Sequence, residues 1–466
     1  MELVRRSGIL IPRKYKNNDG YVKIKELLAR RSKAYNRSDY TYNIFYLESE
    51  KFLLIPRFFP IEKYFGNFQI HDHRHEGKKI NINHNITPRS KTQEKAIAHL
   101  MNNENAILQL EPGVGKTVIT IYMIAERKRK SFILVHRDPL AKQWRKRLLN
   151  FTDIKAEDIS RLSSATFKED LDKPIIISTT QTFISLLKRK RREFLINLNE
   201  ANIGIFIGDE VHTSVGAPTF SECSIHMPCK YTYGLSATPY RYDGNEDIIK
   251  YHLGEIFKDD DETGTMKAKV TVILLDFKID IPFRYQYIHW GDEFQRSRYL
   301  NMLRRSKPLE RVVRGLLMRL KDERDLILIS ERINYIDELY KWIKSSSKAK
   351  FCGSGGLEAL KSKVTFATPG KCRDGIDAPW KDCLIMTSPI SNIKQLTGRI
   401  VRTKEGKKIP IIIDLVDHGC EHIKKTFYAR NQFYKDKGWE IQYLLFVNNK
   451  LVALDEFVTF QILGGN

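Results

Sequence analysis

Short apolar runs recur along the middle of the chain at Ala106–Leu110, Phe132–His136, Ile175–Thr179, Ile203–Gly208 and Tyr233–Ser236, most of them followed by helical or turn segments. Strands alternating with helices at this spacing predict βαβ units and a parallel sheet. A second series occupies Leu326–Ser330, Lys363–Ala367, Asp382–Thr387 and Ile409–Leu415. Two series predict an α/β protein with two tandem lobes. Between them, Asp259–Thr263 is acidic and polar, and Lys269–Phe277 reads as a strand of a connecting region. Ahead of both, Tyr40–Tyr46 and Lys51–Ile55 read as short strands and Val22–Arg31 as a short helix, which predicts a small α+β accessory domain. The polar stretch from His71 to Asn85 reads as a linker. The expected division is 1–85 for a basic accessory domain, 86–258 for lobe 1, 259–300 for the connection, 301–430 for lobe 2 and 431–466 for a C-terminal extension.

A chain of 466 residues exceeds what one core usually organises, in keeping with several domains. No apolar run approaches the roughly 18–20 residues needed to cross a bilayer. Met1–Lys16 is basic but has no apolar h-region, so a secretory signal is not expected. The six cysteines (Cys223, Cys229, Cys352, Cys372, Cys383, Cys420) are scattered without a CxxC pair. That spacing argues for reduced thiols over a disulfide framework. Composition changes the picture most through charge. A formal net charge of +23 is what a polyanion-binding protein carries, nucleic acid first among partners. The plainer alternative is solubility through surplus lysine.

The sharpest chemical signal is Leu110-Glu-Pro-Gly-Val-Gly-Lys-Thr117, which follows a predicted strand and precedes the helical stretch Val118–Arg127. Gly113, Val114 and Gly115 would turn backbone N–H groups toward phosphate oxygens, Lys116 would reach the β- and γ-phosphates, and Thr117 would place its hydroxyl on Mg²⁺. The strict phosphate-loop pattern has glycine where Leu110 stands. The strand Ile203–Gly208 ends at Asp209-Glu-Val-His212, putting carboxylates at the strand end where open α/β sheets bind ligands. Asp209 can hold Mg²⁺ through water, and Glu210 can orient and deprotonate an attacking water.

Taken together these segments resemble the motifs of superfamily-2 helicases, in order and spacing, over roughly residues 86–417. The resemblance implies two RecA-like lobes, ATP with Mg²⁺, and hydrolysis coupled to movement on nucleic acid. Leu110 fits it, since motif I of that family commonly lacks the first glycine. Pro88-Arg-Ser-Lys-Thr-Gln93 resembles the adenine-reading motif, with Gln93 on the base. Asp209-Glu-Val-His212 is similar to motif II. Gly234-Leu-Ser-Ala-Thr-Pro239 resembles motif III, so Ser236 and Thr238, with His212 and Gln395, would couple the ATP site to the nucleic-acid track. Leu134–Trp144 resembles motif Ia and Ser178–Gln181 motif Ib, which places Arg137, Gln143, Thr179 and Thr180 on DNA phosphates; Trp144 itself reads as core. Leu326–Arg332 fits motif IV. Ala367–Pro379 resembles motif V, with Thr368 on DNA and Gly375 and Asp377 beside the nucleotide. Gln395-Leu-Thr-Gly-Arg-Ile-Val-Arg402 resembles motif VI, which makes Arg399 and Arg402 the arginines that stabilise γ-phosphate charge. Arg241-Tyr-Asp243 stands where some relatives carry Arg-Glu-Asp, so Arg241 would contact DNA with its neighbouring acid missing.

Gln395 in place of a histidine, and His212 at the end of motif II, favour the DNA-acting branches of that superfamily. The run Gly234–Gly244 followed by a helix and Leu253-Gly254 most resembles the group that includes the UvsW branch-migration helicases of tailed phages and the XPB helicases. That group implies branched DNA as partner, 3′–5′ translocation and a cytoplasmic setting, the bacterial host's cytoplasm for a phage enzyme. A monomer is expected, with no structural metal and no membrane partner. His71, His73 and His75 alternate, but no acid or cysteine completes a metal set. Lys188-Arg-Lys-Arg-Arg192 could bind a phosphate backbone, although such a run is more often a solvated helix end. The rival readings are an RNA-remodelling helicase, a double-stranded DNA translocase, a non-enzymatic DNA-binding scaffold, and an N-terminal domain that targets protein instead of DNA.

Overall fold

The computed structural model describes residues 1–33, 40–110, 113–211, 218–236, 246–259, 266–277, 288–290, 293–303, 305–353, 355–373, 378–390 and 393–463. The chain forms two compact units, Met1–Thr263 and Gly264–Asn466.

The first unit opens with a five-stranded sheet in the order Leu47–Glu48, Phe52–Ile55, Ile9–Pro12, Glu2–Arg5, Gln69–Asp72. Its α-helix Asp19–Leu27 is capped by Asn18, whose side chain accepts from the Gly20 N–H. The helix begins and ends earlier than the expected Val22–Arg31. Leu28 leaves helical geometry, and Ala29–Lys33 instead pairs antiparallel with Tyr40–Ile44 as a two-stranded ribbon. Cross-strand bonding satisfies backbone groups that a fraying helix end would leave open.

The expected linker is a structural strap. Gln69–Asp72 is an edge strand of the small sheet. Beyond it the backbone runs along the starts of the next sheet's strands, with His75 N donating to Pro228 O (2.6 Å), Lys78 N to Asn202 O (3.0 Å) and Ile80 N to Lys128 O (3.0 Å). Gly77 has a positive φ of 85° and lies against Gly204, where an added Cβ would come within 2.4 Å of the Gly204 nitrogen. The segment is polar because its backbone bonds hold it in place, with Ile82 as a fully buried anchor.

Arg57 completes this join. Its guanidinium is wholly buried and donates to the carbonyls of Cys229 (2.9 Å), Ser7 (3.1 Å), Ser224 (3.3 Å) and Met227. Burial lowers its pKa to about 10, so it remains a cation at neutral pH, held through its two Nη groups by carbonyl dipoles. Ile248, from the helix Glu246–Leu253, packs into the small domain's apolar core.

The larger sheet of this unit runs Ile159–Arg161, Ile175–Thr179, Ser131–Val135, Ile205–Asp209, Tyr231–Ser236, Asn105–Gln109, Ile256–Lys258, with every pair parallel. Helices cover it. Lys91–Asn102 is capped by Ser90, whose side chain accepts from Gln93 N. His252, on the helix after Tyr231–Ser236, is fully buried with Nε2 2.7 Å from Ser221 Oγ. Burial, then the Arg57 charge, lowers its pKa from 6.5 to about 3. Between those values the unfolded chain binds a proton that the folded chain refuses, so stability falls as pH falls through that window. Replacing His252 with Gln is expected to flatten the acid side of the stability–pH curve between pH 6 and 4, roughly the range over which its proton is taken up on unfolding. Urea titrations across that range measure it, and an unchanged slope counts against His252 as the source.

The second unit carries an eight-stranded sheet: Lys348–Phe351, Val364–Ala367, Leu326–Ile329, Cys383–Met386, Ile411–Asp417, Lys269–Leu275, Glu440–Val447, Lys450–Leu454. All pairs are parallel except the last. Two expectations are corrected here. Lys269–Leu275 is not part of a connection but an inner strand of this sheet, and residues 440–454 supply its far edge. Val272, Ile273 and Leu274 are fully buried, so both faces and both edges of that strand need cover, which Ile411–Asp417 and Glu440–Val447 provide at the edges. The expected boundary at residue 430 falls inside the helix Glu421–Asp436. In both units helices flank a parallel sheet, the α/β architecture expected of RecA-like lobes.

Candidate nucleotide site

The site is assembled by ladder register. Tyr231–Ser236 lies between Ile205–Asp209 and Asn105–Gln109, pairing Leu235 with Asp209 and Ser236 with Gln109. The acidic pair, Ser236 and the start of the phosphate loop therefore reach the same carboxyl edge of the sheet. Leu110 N donates to Ser236 O at 3.2 Å, tying the loop to the end of the motif III strand.

Gly113 and Gly115 both hold positive φ, 102° and 96°, a turn that a side chain would strain. The helix Lys116–Arg127 begins directly after Gly115 and turns the positive end of its dipole to the loop. Val114, Lys116 and Thr117 are half-buried. Lys116 Nζ donates to Leu110 O at 2.7 Å, so the ammonium lies folded across its own loop. Gln93 contributes to the loop in a way the sequence did not suggest. Its Nε2 donates to Val114 O (2.6 Å), and its Oε1 accepts from Arg89 N (2.8 Å). A Cβ on Gly115 would lie 2.9 Å from that Nε2, so the glycine makes room for the glutamine as well as for the turn. Gln93 braces the phosphate loop here, whatever else it contacts.

Asp209 is buried, and its carboxylate has two protein donors: Trp144 Nε1 to Oδ2 (2.7 Å) and Glu210 N to Oδ1 (2.9 Å). Burial and the neighbouring Glu210 charge raise its pKa to about 6, against the pull of Trp144 and Lys116. Such a carboxylate suits a cation, whose charge would offset its desolvation. Glu210 has a positive φ of 52°, a sparsely populated conformation for a non-glycine residue, at the end of its strand.

Sequence reasoning assigned Trp144 to the core, and it is 1% exposed. Its indole N–H was missed as a fixture of the acidic pair. The spacing of Leu140, Trp144 and Leu148 signalled burial, but the acceptor lies 65 residues further along the chain. Trp144→Phe keeps an aromatic ring and removes the donor, so the Asp209 pKa is expected to rise further. The acid limb of kcat/KM for MgATP then moves to higher pH; an unmoved limb in a pH–rate profile counts against the Trp144 contact.

Arg137, Thr179 and Thr180 lie at the same edge of the sheet, just beyond Ser131–Val135 and at the end of Ile175–Thr179. Arg137 is exposed, and Thr179 caps the helix Thr180–Arg189 by accepting from Thr182 N. Gln143 is half-buried on the helix Asp138–Phe151. In the second unit, Thr368 follows the strand Val364–Ala367, its carbonyl accepting from Cys372 N (3.1 Å). Gln395 and Arg399 lie on the helix Lys394–Ile400, and Arg402 follows it, its carbonyl accepting from Lys407 Nζ (3.0 Å). His212, Thr238, Arg241, Gly375 and Asp377 lie outside the described residues. All six cysteines are buried thiols outside any disulfide.

The family model "Type III restriction enzyme, res subunit" matches residues 85–241, which span the phosphate loop and the acidic pair. The chain is similar to the putative ATP-dependent RNA helicase L396 of Acanthamoeba polyphaga mimivirus, 25% identical over 420 residues, covering 85% of this chain and 77% of that protein. It is 30% identical over 163 residues to the DNA 3′-5′ helicase XPB of Kineococcus radiotolerans, covering 35% of this chain and 28% of that one. Among solved structures, the ATP-dependent Type ISP restriction-modification enzyme LlaBIII bound to DNA shares the fold at a TM-score of 0.54 and 16% identity, covering 84% of this chain and 32% of that one. With the phosphate loop, the acidic pair and the motif III strand meeting at one sheet edge, residues 85–241 carry the domain of the Type III restriction enzyme res subunit, and the chain is similar to superfamily-2 helicases and is an ATP-dependent enzyme.

Proposed function

We propose that this helicase is a DNA motor acting on branched DNA (forks, displacement loops and four-way junctions) in recombination, replication or repair, with 3′–5′ movement. The observation that carries the motor reading is the bond from Leu110 N to Ser236 O, which links the phosphate loop to the motif III strand. A shift of the loop on nucleotide binding or loss is thereby felt at Ser236. DNA as the track is supported by the net charge of +23, by Gln395 and His212 in their motifs, and by the activity for which the XPB relative is named.

In this reading Gly113, Gly115 and the helix start at Lys116 cradle the phosphates, and Lys116 leaves the Leu110 carbonyl for the β- and γ-oxygens. Thr117 and Asp209 would hold Mg²⁺, which supplies charge neutralisation on the β- and γ-phosphates when bound. Glu210 orients the attacking water and accepts its proton. Arg399 and Arg402 are assigned to the γ-phosphate charge by motif VI alone. Arg137, Gln143, Thr179, Thr180 and Thr368 would contact backbone phosphates, which position a strand without reading its sequence.

RNA remodelling is the second reading, favoured by the name of the mimivirus relative, whose similarity covers most of the chain. The deciding experiment compares ATPase stimulation and strand separation on a four-way junction, a fork, tailed duplexes of both polarities, plain duplex and RNA. Preference for the junction and fork, and for the 3′-tailed duplex, is expected. Equal or greater stimulation by RNA would overturn the DNA assignment, and stimulation by plain duplex without strand separation would make the protein a translocase.

A further inference from the structure

The run Lys188–Arg192 lies at the joint between the helices Thr180–Arg189 and Arg191–Glu200, with all five residues exposed. Lys190 is engaged: its ammonium lies 5.1 Å from the Phe167 ring centroid and 3.4 Å from the Ser164 carbonyl oxygen. The other four pair with no carboxylate among the described residues, and the nearest acid in sequence, Glu193, is held by Lys168 at 2.6 Å. Helix electrostatics explain only half of the run. Lys188 and Arg189 complement the negative end of the first helix, but Arg191 and Arg192 occupy the first turn of the second, where the dipole disfavours cations. Two arginines held against the dipole without a counter-charge call for an external anion.

Their place in the fold identifies which anion fits. The helix Thr180–Arg189 leaves the carboxyl end of Ile175–Thr179 and runs back along the sheet, so its last turn is level with the strand starts, the edge opposite the phosphate loop. The next helix leads into the start of Ile205–Asp209. There Arg6, just after the strand Glu2–Arg5 of the N-terminal domain, donates to the Asn199 side chain, adding a cation near the helix's other end. At 1.5 Å per residue, Arg191 and Asn199 stand about 12 Å apart along the helix, close to the major-groove width of B-form DNA, about 12 Å. Guanidinium groups bind phosphate in a bidentate manner and in any sequence context.

We propose that Lys188, Arg189, Arg191 and Arg192, together with Arg6, form a second nucleic-acid surface that grips the backbone of a DNA duplex at the sheet edge opposite the ATP site. The proposal rests on the reading of the chain as a DNA motor and extends it. One strand is engaged at the carboxyl edge, while a duplex arm is held at the opposite edge by a surface shared between the N-terminal domain and lobe 1.

The test uses the full chain and two triple variants, Arg189→Ala/Arg191→Ala/Arg192→Ala and the corresponding Lys triple, with Arg6→Ala as a variant outside the helices. Affinity for a blunt duplex is measured over a series of salt concentrations. Every phosphate that a variant no longer neutralises reduces the log–log salt slope by about 0.9, so the Ala triple is expected to lower it by about 3 and Arg6→Ala by about 1. The duplex Kd of the Ala triple should rise roughly tenfold or more at moderate salt, and the Lys triple should restore it. ATPase at saturating single strand should stay unchanged. An Ala triple that melts like the parent yet keeps the parental duplex affinity and salt slope overturns the proposal. If the Ala triple does not fold, an unaltered slope in Arg6→Ala overturns it. Absence of any nucleic-acid stimulation in the unaltered chain would instead overturn the motor reading, and the duplex measurement judges this surface separately.

Discussion

Glu210→Gln is expected to lower ATP turnover by roughly 10²–10⁴-fold while nucleotide affinity changes little. The amide keeps the size of the side chain and removes the carboxylate that we propose accepts the proton. The backbone is unaffected by the exchange, so Glu210 N still donates to Asp209 Oδ1. A second consequence distinguishes loss of a base from general damage. The Glu210 charge is, after burial, the largest influence raising the Asp209 pKa, so the variant should bring that pKa back down from about 6. The residual activity should therefore persist to lower pH than in the parent, opposite to the shift expected for Trp144→Phe. Steady-state ATPase with saturating nucleic acid, a nucleotide-binding titration and a pH profile make the three measurements. Parental turnover in Glu210→Gln would remove Glu210 from the role of base.

The largest loss of stability is expected from Arg430→Met, on the order of 3–5 kcal/mol. Arg430 and Asp414 are each 1% exposed and joined by two bonds, Nε to Oδ2 at 2.8 Å and Nη2 to Oδ1 at 3.1 Å. Tyr434 donates its hydroxyl to the same carboxylate at 3.0 Å. Without the guanidinium, Asp414 is left buried with a neutral donor, and the desolvation of its charge is no longer offset. Arg430 also donates to the Ile390 carbonyl at 3.2 Å, shortly before the helix that carries Arg399, so the substitution should loosen the motif VI segment too. The double variant Arg430→Met/Asp414→Leu should recover part of the stability, because removing both charges abolishes the unpaired one. Trp439 stacks on Tyr434, which makes its fluorescence a local reporter for denaturant unfolding of the second unit. Equal stability of Arg430→Met and the parent would mean that the pair contributes nothing net.

The parts of the site that were legible in sequence are those whose chemistry is local. Gly113, Gly115, Lys116 and Thr117 are neighbours in the chain, and their turn follows from glycine at positions of positive φ. Asp209 and Glu210 end a strand recognisable from its own apolar run. Bonds between distant segments left no such trace. Trp144 showed only a burial period, and the acceptor of its N–H comes from another strand. Gln93 has a good motif context, yet nothing in it specifies that the amide closes on Val114 O. The misreadings share a cause. His71–Asn85 looked like a linker because it lacks apolar periodicity, but a strap held by backbone bonds needs none. Lys269–Leu275 looked like connection because its ladder partners, from Ile411 and from Glu440, arrive more than a hundred residues later.

By itself the sequence determined the chemistry and its scaffold: two series of strands, a phosphate loop, an acidic pair and a strongly cationic chain. These are set by short-range pattern, where glycine geometry, strand runs and charge act within a few residues. Only the tertiary structure decided how the pieces are held. It placed the motif III strand between the other two, bonded Asp209 to Trp144, and fixed the N-terminal domain to lobe 1 through a buried Arg57. A lone arginine between Pro56 and Phe58 gives no sign of burial, since arginine is ordinarily exposed. It is buried here because carbonyls from Ser7, Ser224, Met227 and Cys229 converge on it, and that convergence exists only once distant segments have packed.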